Sequence, residues 1–207
     1  MLAFLLDPAT LSGKGAASSD MHPTRLRLIS VATRLFQQRG YHAIGLSEIL
    51  ALSETPKGSL YHHFPGGKPE LATACVARIA DSSLHAIEQL SASGLDIVGF
   101  LRNLSDVTAA WLQRTDWLDG SLLAVIGQEQ GGAGGPLSEA VRIAYQRIEM
   151  RLARWLMAEG VAVTRARDMA ATIIAAQEGA LVLARSRHDA APVALVTDML
   201  CVMVERG

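Results

Sequence analysis

Residues 55–64 read TPKGSLYHHF and residues 65–68 continue with PGGK, so one short stretch carries lysines, a tyrosine and adjacent histidines. Side chains of these types can hold a metal ion, bind phosphate or contact nucleic acid. Neighbouring residues on a helix point about 100° apart, so His62 and His63 cannot jointly chelate one ion. No cysteine and no H-x-x-x-H pair lies nearby. The spacing therefore disfavours a metal site.

The PGGK sequence also departs from a phosphate-binding loop of the Walker type. Such a loop needs an earlier glycine at the position of His62 and a serine or threonine at the position of Pro69. The glycine run GGAGG at 131–135 is not followed by a lysine and is interpreted as a flexible connection between helices. No phosphate loop and no cofactor are therefore expected.

The remaining possibility, contact with nucleic acid, agrees with the helical periodicity. Short helices are predicted over 46–52 and 56–64, which together form a helix-turn-helix. Gly45 is the expected N-cap of the first helix, with Glu48 placed to reach back to it. Thr55 is the expected N-cap of the second helix, whose first residue would then be a proline.

The second of these helices has two distinct faces. Leu60 and Phe64 are four residues apart and are predicted to face the core. The opposite face would present a cation, a hydroxyl-bearing ring, an imidazole and a glycine that lets DNA approach closely: Lys57, Tyr61, His62 and Gly58. The helix N-terminus adds free N–H groups and a positive dipole, which suit phosphate. This arrangement is typical of a recognition helix that presents its N-terminal residues to base edges.

Helical periodicity continues along the chain, and the alternation typical of strands is absent, which predicts an all-α fold of about nine helices. The other helices are expected over 24–38, 69–90, 95–114, 122–128, 137–159, 165–187 and 192–205. Residues 21–68 are interpreted as a helix-turn-helix head, and 69–207 as a larger helical body. Residues 1–20 are predicted to be a mobile, dispensable tail.

Charge is distributed unevenly between these segments. Residues 21–70 carry a net charge of +3 and residues 71–207 a net charge of −3, within a total of −1. A basic head on an acidic body is typical of a nucleic-acid-binding domain attached to an effector domain. An excess this small also fits ordinary fluctuation in composition.

The remaining composition narrows the class of protein. No apolar run approaches the roughly 20 residues of a membrane helix, so a soluble, cytoplasmic protein is expected. Cys75 and Cys201 are predicted to be free buried thiols, while a single disulfide between them stays open. The sequence contains no Ser/His/Asp pattern, metal cluster or carboxylate pair for catalysis, so an enzyme is not expected. A ligand carrier that does not read DNA is the alternative to a DNA-binding regulator.

Residues 24–71, from TRLRLISVATRLFQQRGYHAIGLSEIL through KGSLYHHFPGGKPEL, strongly resemble the TetR family of transcriptional regulators. In the body, GSLLAVIGQEQ at 120–130 and QEGALVLARSRHDAAPV at 177–193 resemble the drug- and flavonoid-responsive repressors related to the lincomycin-resistance regulator. The resemblance implies a homodimer that binds a palindromic operator in double-stranded DNA. It also implies a small apolar or aromatic inducer that binds the body, shifts the fourth helix and releases the DNA.

The resemblance also implies which residues contact DNA. They are Thr24, Arg25, Lys57, Gly58, Ser59, Tyr61, His62 and Lys68. Because phosphate contacts position a protein and base contacts specify sequence, we expect Lys57 and Ser59 to carry specificity. Tyr61, His62 and Lys68 are expected to carry affinity.

Two positions depart from the family pattern. Gly45 stands where the family usually has a threonine or serine that caps the helix and touches phosphate. The sequence SET at 53–55 replaces the usual Ala-Gly-Val turn and places Glu54 near DNA. A lost contact and a like-charge repulsion are the expected consequences.

In the body, the resemblance implies that the last two long helices pair with a second subunit as a four-helix bundle. The expected interface residues are Ala171, Ile174, Ala175, Gly179, Leu183, Leu195, Met199 and Val202. Small residues at this spacing can also form a self-contained core.

A ligand site is implied among helices 4–8 of the body. The candidates are His85, Phe100, Leu104, Trp111, Trp117, Tyr145, Met150, Trp155, Gln177 and Glu178. An aromatic residue at helical spacing more often belongs to a core than to a pocket. Gln177 and Glu178 stand out because a polar pair inside an apolar helix must find partners.

Overall fold

The computed structural model describes residues 22–130, 132 and 134–206 of the chain. Within these ranges the backbone forms nine α-helices and no strand, which confirms the all-α prediction. They are α1 (Pro23–Arg39), α2 (Leu46–Leu52), α3 (Lys57–His63), α4 (Lys68–Ala92), α5 (Ile97–Arg114), α6 (Leu122–Gln130), α7 (Pro136–Ala158), α8 (Val163–Arg187) and α9 (Ala191–Glu205). Each observed bound lies within two residues of the predicted one. The predicted tail, residues 1–20, and residues 131 and 133 of the glycine connection lie outside the described residues.

Helices α1, α2 and α3 share one small core. Leu28 and Phe36 of α1, Ile49 of α2 and Leu60 of α3 are completely buried, as is Phe64 directly after α3. Burying a side chain of this size stabilises the fold by about 1.5–3 kcal/mol relative to leaving it in water. These contacts hold α3 by one face and leave its other face outside.

The start of α3 differs from the predicted one. Pro56, and not Thr55, is the N-cap, because its backbone is extended (φ −60°, ψ 146°) and Lys57 is the first helical residue. Thr55 is buried, and its hydroxyl donates a hydrogen bond to the carbonyl of Ser53 (3.1 Å). Thr55 therefore stabilises the turn rather than the helix end.

The predicted capping of α2 by Glu48 is also wrong. Gly45 is the N-cap, but no side chain bonds to the helix start. The carboxylate of Glu48 instead accepts two hydrogen bonds from the guanidinium of Arg39 (2.5 and 3.3 Å). A nearby cation thus competes successfully with the backbone N–H groups, and Glu48 ties α2 to the end of α1.

Helix α4 joins the head to the body. It packs on α1 and on α7, while α8 packs on α7 and α9, and α9 also packs on α5. Toward the far end of α4, ion pairs link Asp81 to Arg147 (2.9 Å) and Glu88 to Arg151 (3.4 Å) on α7. The two helices are therefore linked by surface ion pairs as well as by their packing.

The two cysteines are free and buried, as predicted, with Cys75 on α4 and Cys201 on α9. Burial raises the pKa of the Cys75 thiol to about 12. Because both thiols are free, the two cysteines form no disulfide with each other. Across the described ranges, none of the helices is both long enough and apolar enough to traverse a lipid bilayer.

Candidate nucleic-acid interface

The turn between α2 and α3 is closed by backbone hydrogen bonds. The N–H of Ser53 donates to the carbonyl of Ile49 (2.9 Å), and the N–H of Thr55 donates to the carbonyl of Leu50 (3.0 Å). Between them, Glu54 has a φ of 50°, in the left-handed region. This conformation costs roughly 1–2 kcal/mol for a residue other than glycine. The exposed side chain of Glu54 therefore stands at a strained point shortly before α3.

The two predicted faces of α3 are confirmed by burial. Leu60 is completely buried, whereas the opposite side of the helix is exposed. The exposed residues are Lys57, Gly58, Tyr61 and His62, and Ser59 is half-buried beside them. A methyl group added at Gly58 would have no atom within 4 Å, so the surface there is open to a flat ligand such as a DNA groove wall. The exposed face combines charge, hydrogen-bond donors and an open backbone.

A group of imidazoles lies beside this face. The His63 ring is 4.9 Å from that of His22 and 5.0 Å from that of His62, centroid to centroid. Burial, and then the charges of His22, His62 and Arg25, lower the pKa of His63. Among the residues that the structure describes, no three His, Cys, Asp or Glu side chains are grouped so that they could hold a metal ion.

Two of the predicted DNA-binding cations, Arg25 and Lys68, flank α3 and lie against aromatic rings. The guanidinium of Arg25 lies 5.1 Å from the centre of the Phe64 ring. The Nζ of Lys68, the first residue of α4, lies 4.3 Å from the centre of the Tyr41 ring. Burial lowers the pKa of Lys68, and the carboxylate of Glu129 opposes this shift. Cation–π contacts of this kind fix the position of each charge without neutralising it.

Thr24, also predicted to contact DNA, lies in the first turn of α1. Its N–H donates to the Nδ1 of His22 (3.3 Å), and its side chain is half-buried. Six of the eight predicted DNA-binding residues thus lie at the starts of α1, α3 and α4, while Tyr61 and His62 lie further along α3. Helix starts suit phosphate because their N–H groups have no partner within the helix.

A contact between body and head was not predicted from the sequence. The carboxylate of Glu129, in the last turn of α6, accepts hydrogen bonds from the backbone N–H groups of Tyr41 (2.7 Å) and His42 (3.0 Å). The side-chain amide of Gln130 lies 3.2 Å from the Nε2 of His42. The only sequence signal is the polar end GQEQ of an otherwise apolar helix.

A second contact joins the body to α1. The amide of Gln38 donates to Asp119 (2.7 Å), and the N–H of Gly120 donates to the carbonyl of Gln37 (3.1 Å). The guanidinium of Arg185 on α8 donates to the carbonyl of Leu118 (2.6 Å), in the same loop. Burial raises the pKa of Asp119. The segment between α5 and α6 is therefore held between α1 and α8.

The predicted ligand-site residues fall into separate groups. The rings of Phe100 and Trp155 are buried 5.1 Å apart, and Leu104 and Trp111 are buried in the same core. Trp117 stacks on His188 (6.2 Å between ring centres) after the end of α8. His85 on α4 is half-buried, and Met150 is 51% exposed on α7. The structure does not bring Met150 to the core aromatic residues.

The polar pair on α8 finds partners, as expected, but in two directions. The amide of Gln177 donates to the hydroxyl of Thr197 on α9 (3.1 Å), within the core. Oε1 of Glu178 accepts hydrogen bonds from the hydroxyls of Ser121 (2.8 Å) and Tyr145 (3.0 Å). Burial, reinforced by the charge of Glu178, raises the pKa of Tyr145. Among the predicted ligand residues, Tyr145 and Glu178 thus form a polar cluster inside the body.

The outer faces of α8 and α9 carry an apolar stripe, which comprises Ala171, Ile174, Ala175, Gly179, Val182, Leu183, Leu195, Met199 and Val202. All these residues are exposed except Ile174, which is half-buried, and Leu195 and Met199 are 63% and 61% exposed. Sequence reasoning named every member except Val182. A methyl group at Gly179 would have no atom within 4 Å, so the stripe is open at its centre. Large contiguous apolar patches mark interaction surfaces.

Comparisons with known proteins agree with this geometry. Residues 28–75 match the bacterial regulatory proteins of the tetR family, and residues 98–199 match the C-terminal domain of LmrA/YxaF-like transcriptional regulators. The chain is 32% identical over 183 residues to the HTH-type transcriptional regulator YxaF of Bacillus subtilis, covering 88% of this chain and 96% of that protein. It is 29% identical over 187 residues to the HTH-type transcriptional regulator LmrA of the same species, covering 88% and 97%. A solved structure of a regulatory protein TetR from Rhodobacter sphaeroides shares the fold, with a TM-score of 0.76 and 23% identity over 86% of this chain and 97% of that one.

Proposed function

Since this chain belongs to the TetR family of DNA-binding transcriptional regulators, we propose that it is a dimeric repressor released from a palindromic operator by a small apolar or aromatic ligand. The observation that carries the proposal is the outer face of α3. That face is held from behind by a buried leucine and phenylalanine and presents Lys57, Gly58, Tyr61 and His62 to solvent. A recognition helix needs this combination of a rigid base and a polar, open outer side.

The individual roles follow from position and chemistry. Lys57 and Ser59, at the start of α3, would contact base edges, because the N-terminal end of a recognition helix enters the major groove. Tyr61 and His62 lie further along the same helix and would contact phosphate. Lys68 would bind phosphate from the start of α4, with its charge held above the Tyr41 ring. Thr24 and Arg25 would contact the flanking backbone from α1.

The apolar stripe supports a two-fold dimer built from α8 and α9. A two-fold axis through the stripe would bring two copies of each helix into a four-helix bundle, with the same surface used by both subunits. Such a dimer would present its two recognition helices to half-sites about 34 Å apart, which is one turn of DNA. Palindromic symmetry in the operator then mirrors the symmetry of the protein.

Release by ligand is proposed to proceed through α4. A ligand in the body would displace α7 or α8, and the ion pairs between α7 and α4 would carry the displacement to the start of α4. The polar cluster around Glu178 supports a ligand with a hydrogen-bonding group as well as an apolar body. Ligand binding would favour a conformation of the dimer in which the distance between the two heads no longer matches the spacing of the DNA grooves.

The experiment that tests the proposal is selection of random-sequence duplex DNA by the purified full-length chain at low salt, repeated with Tyr61→Ala. Low salt matters because each phosphate contact steepens the salt dependence of binding. We expect the wild-type protein to enrich a palindrome and the variant to enrich none. If no sequence is enriched by either protein, the carrier function is favoured, in which the carboxylate of Glu54 and the missing cap at Gly45 have disabled the head.

A further inference from the structure

Glu129 bridges the body and the head through a single carboxylate oxygen. Its Oε2 accepts both the N–H of Tyr41 (2.7 Å) and the N–H of His42 (3.0 Å), in the segment between α1 and α2. These N–H groups have no helical partner, because α1 has ended and α2 has not begun. Hydrogen bonds to an ionised acceptor are roughly twice as strong as neutral ones. Since both bonds end on one oxygen, a displacement of α6 would break them together.

The head is shaped to receive this carboxylate. Gly40, directly before Tyr41, has a φ of 86°, which favours glycine. A methyl group at residue 40 would overlap Oε1 of Glu129, so the carboxylate reaches the turn only because no side chain stands there. The backbone conformation therefore favours glycine at residue 40, and the absence of a side chain there leaves room for the carboxylate.

From Glu129, the contact continues to the proposed DNA surface through one residue. The Tyr41 ring packs against Phe36 (5.5 Å between ring centres). The Nζ of Lys68 lies over the same Tyr41 ring, 4.3 Å from its centre. The charge of Glu129 also acts on Lys68 directly, since it opposes the burial that lowers the pKa of that lysine. The position of the Lys68 side chain and the pKa of its ammonium group are thus both linked to Glu129 at the end of α6.

We propose that Glu129 is a positioning residue: it holds the α1–α2 turn, and through Tyr41 it holds Lys68, so that α6 sets the orientation of the head relative to the body. The inference rests on the proposed function, because orientation matters only where two heads must match two half-sites. The contact between Gln38 and Asp119 would remain as a pivot when the Glu129 contact opens.

The test uses the full-length chain with Glu129→Ala, Glu129→Gln and the matched control Glu139→Ala. Glu139 is an exposed glutamate on α7 whose carboxylate pairs with Arg142 of the same helix. Glutamine keeps a carbonyl acceptor of nearly the same shape and should restore part of the effect, whereas alanine leaves both N–H groups without their acceptor.

The first measurement is amide hydrogen exchange at single-residue resolution without DNA. In Glu129→Ala we expect faster exchange of the Tyr41 and His42 amides, with the Gly120 amide unchanged because its bond to Gln37 is separate. Unchanged exchange at Tyr41 and His42 would overturn the inference. This measurement decides whether Glu129 holds the turn even if the chain selects no operator and the proposed function fails.

The second measurement compares the selected palindrome with a single half-site and with palindromes of altered spacing. For Glu129→Ala we expect about tenfold weaker binding to the full operator, a smaller loss on the half-site, where only the hold on Lys68 is affected, and a broader tolerance of spacing. Glu129→Gln should lie between alanine and wild type, and Glu139→Ala should match wild type. A parallel loss on full and half-sites would show that Glu129 merely supports the fold of the head, and no loss on either would also overturn the inference.

Discussion

The outer face of α3 and the apolar stripe on α8 and α9 are both exposed helix surfaces, yet their chemistry is opposite. The α3 face carries a cation, a phenol, an imidazole and an open glycine, whereas the stripe carries only alkyl, thioether and small side chains. Each face is held from behind by completely buried residues. The buried side of a helix therefore fixes where it stands, and the exposed side decides whether a hydrated polyanion or a dry protein surface can cover it.

The largest expected effect separates the buried side of α3 from its exposed side. Leu60→Ala removes a completely buried side chain and should lower the free energy of unfolding by about 3 kcal/mol. Tyr61→Ala, one position along, should change it by less than about 0.5 kcal/mol while removing operator binding. Chemical denaturation measures the free energy of unfolding of both variants. Similar stability losses in both variants would contradict the assignment of the two faces.

The next effect concerns the stripe. Met199→Asp would place a carboxylate in the proposed dimer interface and should raise the dimer dissociation constant about a hundredfold or more. Sedimentation velocity over a concentration series measures this change. Leu52→Asp is the matched control, because Leu52 is an exposed apolar residue on α2, outside the stripe. A wild-type chain that sediments as a monomer would contradict the dimer altogether.

The two lysines of the proposed DNA surface, Lys57 on α3 and Lys68 on α4, should differ in the kind of contact that they make. Lys57→Gln should weaken operator binding by about 1–3 kcal/mol and relax sequence preference at one position in each half-site. Lys68→Gln should weaken binding to all sequences alike and reduce the slope of log affinity against log salt by about 1 for each half-site. Binding isotherms on the selected operator and its single-base variants provide the comparison. If sequence preference were lost to the same degree in both variants, the assignment of Lys57 to bases and Lys68 to phosphate would be wrong.

The smallest effect concerns the turn before α3. Glu54→Gly should stabilise the fold by about 0.5 kcal/mol, because relief of left-handed strain exceeds the entropy cost of glycine, and should strengthen operator binding severalfold by removing a negative charge. Glu54→Gln keeps the strain but removes the charge, so it should improve binding without improving stability. Thermal melts and binding isotherms separate the two contributions. Unchanged binding in both variants would place Glu54 away from the DNA.

The faces of α3 could be predicted because the helical period assigns each residue to a side, whereas the residues of the stripe were expected from the family resemblance. Leu60 and Phe64 are completely buried, and seven of the eight predicted stripe residues are exposed. Helix starts were predicted less well where local partners compete, as at Thr55, which bonds to Ser53 instead of capping α3.

Contacts between distant segments could not be predicted in the same way. Glu129 and Tyr41 are 88 residues apart, and a glutamate at the end of a helix resembles any solvated surface residue. The aromatic residues of the body are ambiguous for a related reason, since Phe100 and Trp155 at helical spacing fit a core and a ligand pocket equally well. Gln177 and Glu178 were identified as residues that need partners, but only the structure names Thr197, Ser121 and Tyr145.

The bare backbone at Gly40 has a consequence for how relatives of this chain can diverge. A side chain at residue 40 would collide with the carboxylate of Glu129 and would also be strained by the φ of 86° at that position. A shorter residue 129 removes the collision but leaves the backbone strain. Relatives with a glutamate at residue 129 of the body are therefore expected to keep glycine at residue 40 of the head, whereas glycine at residue 40 does not oblige residue 129 to be a glutamate.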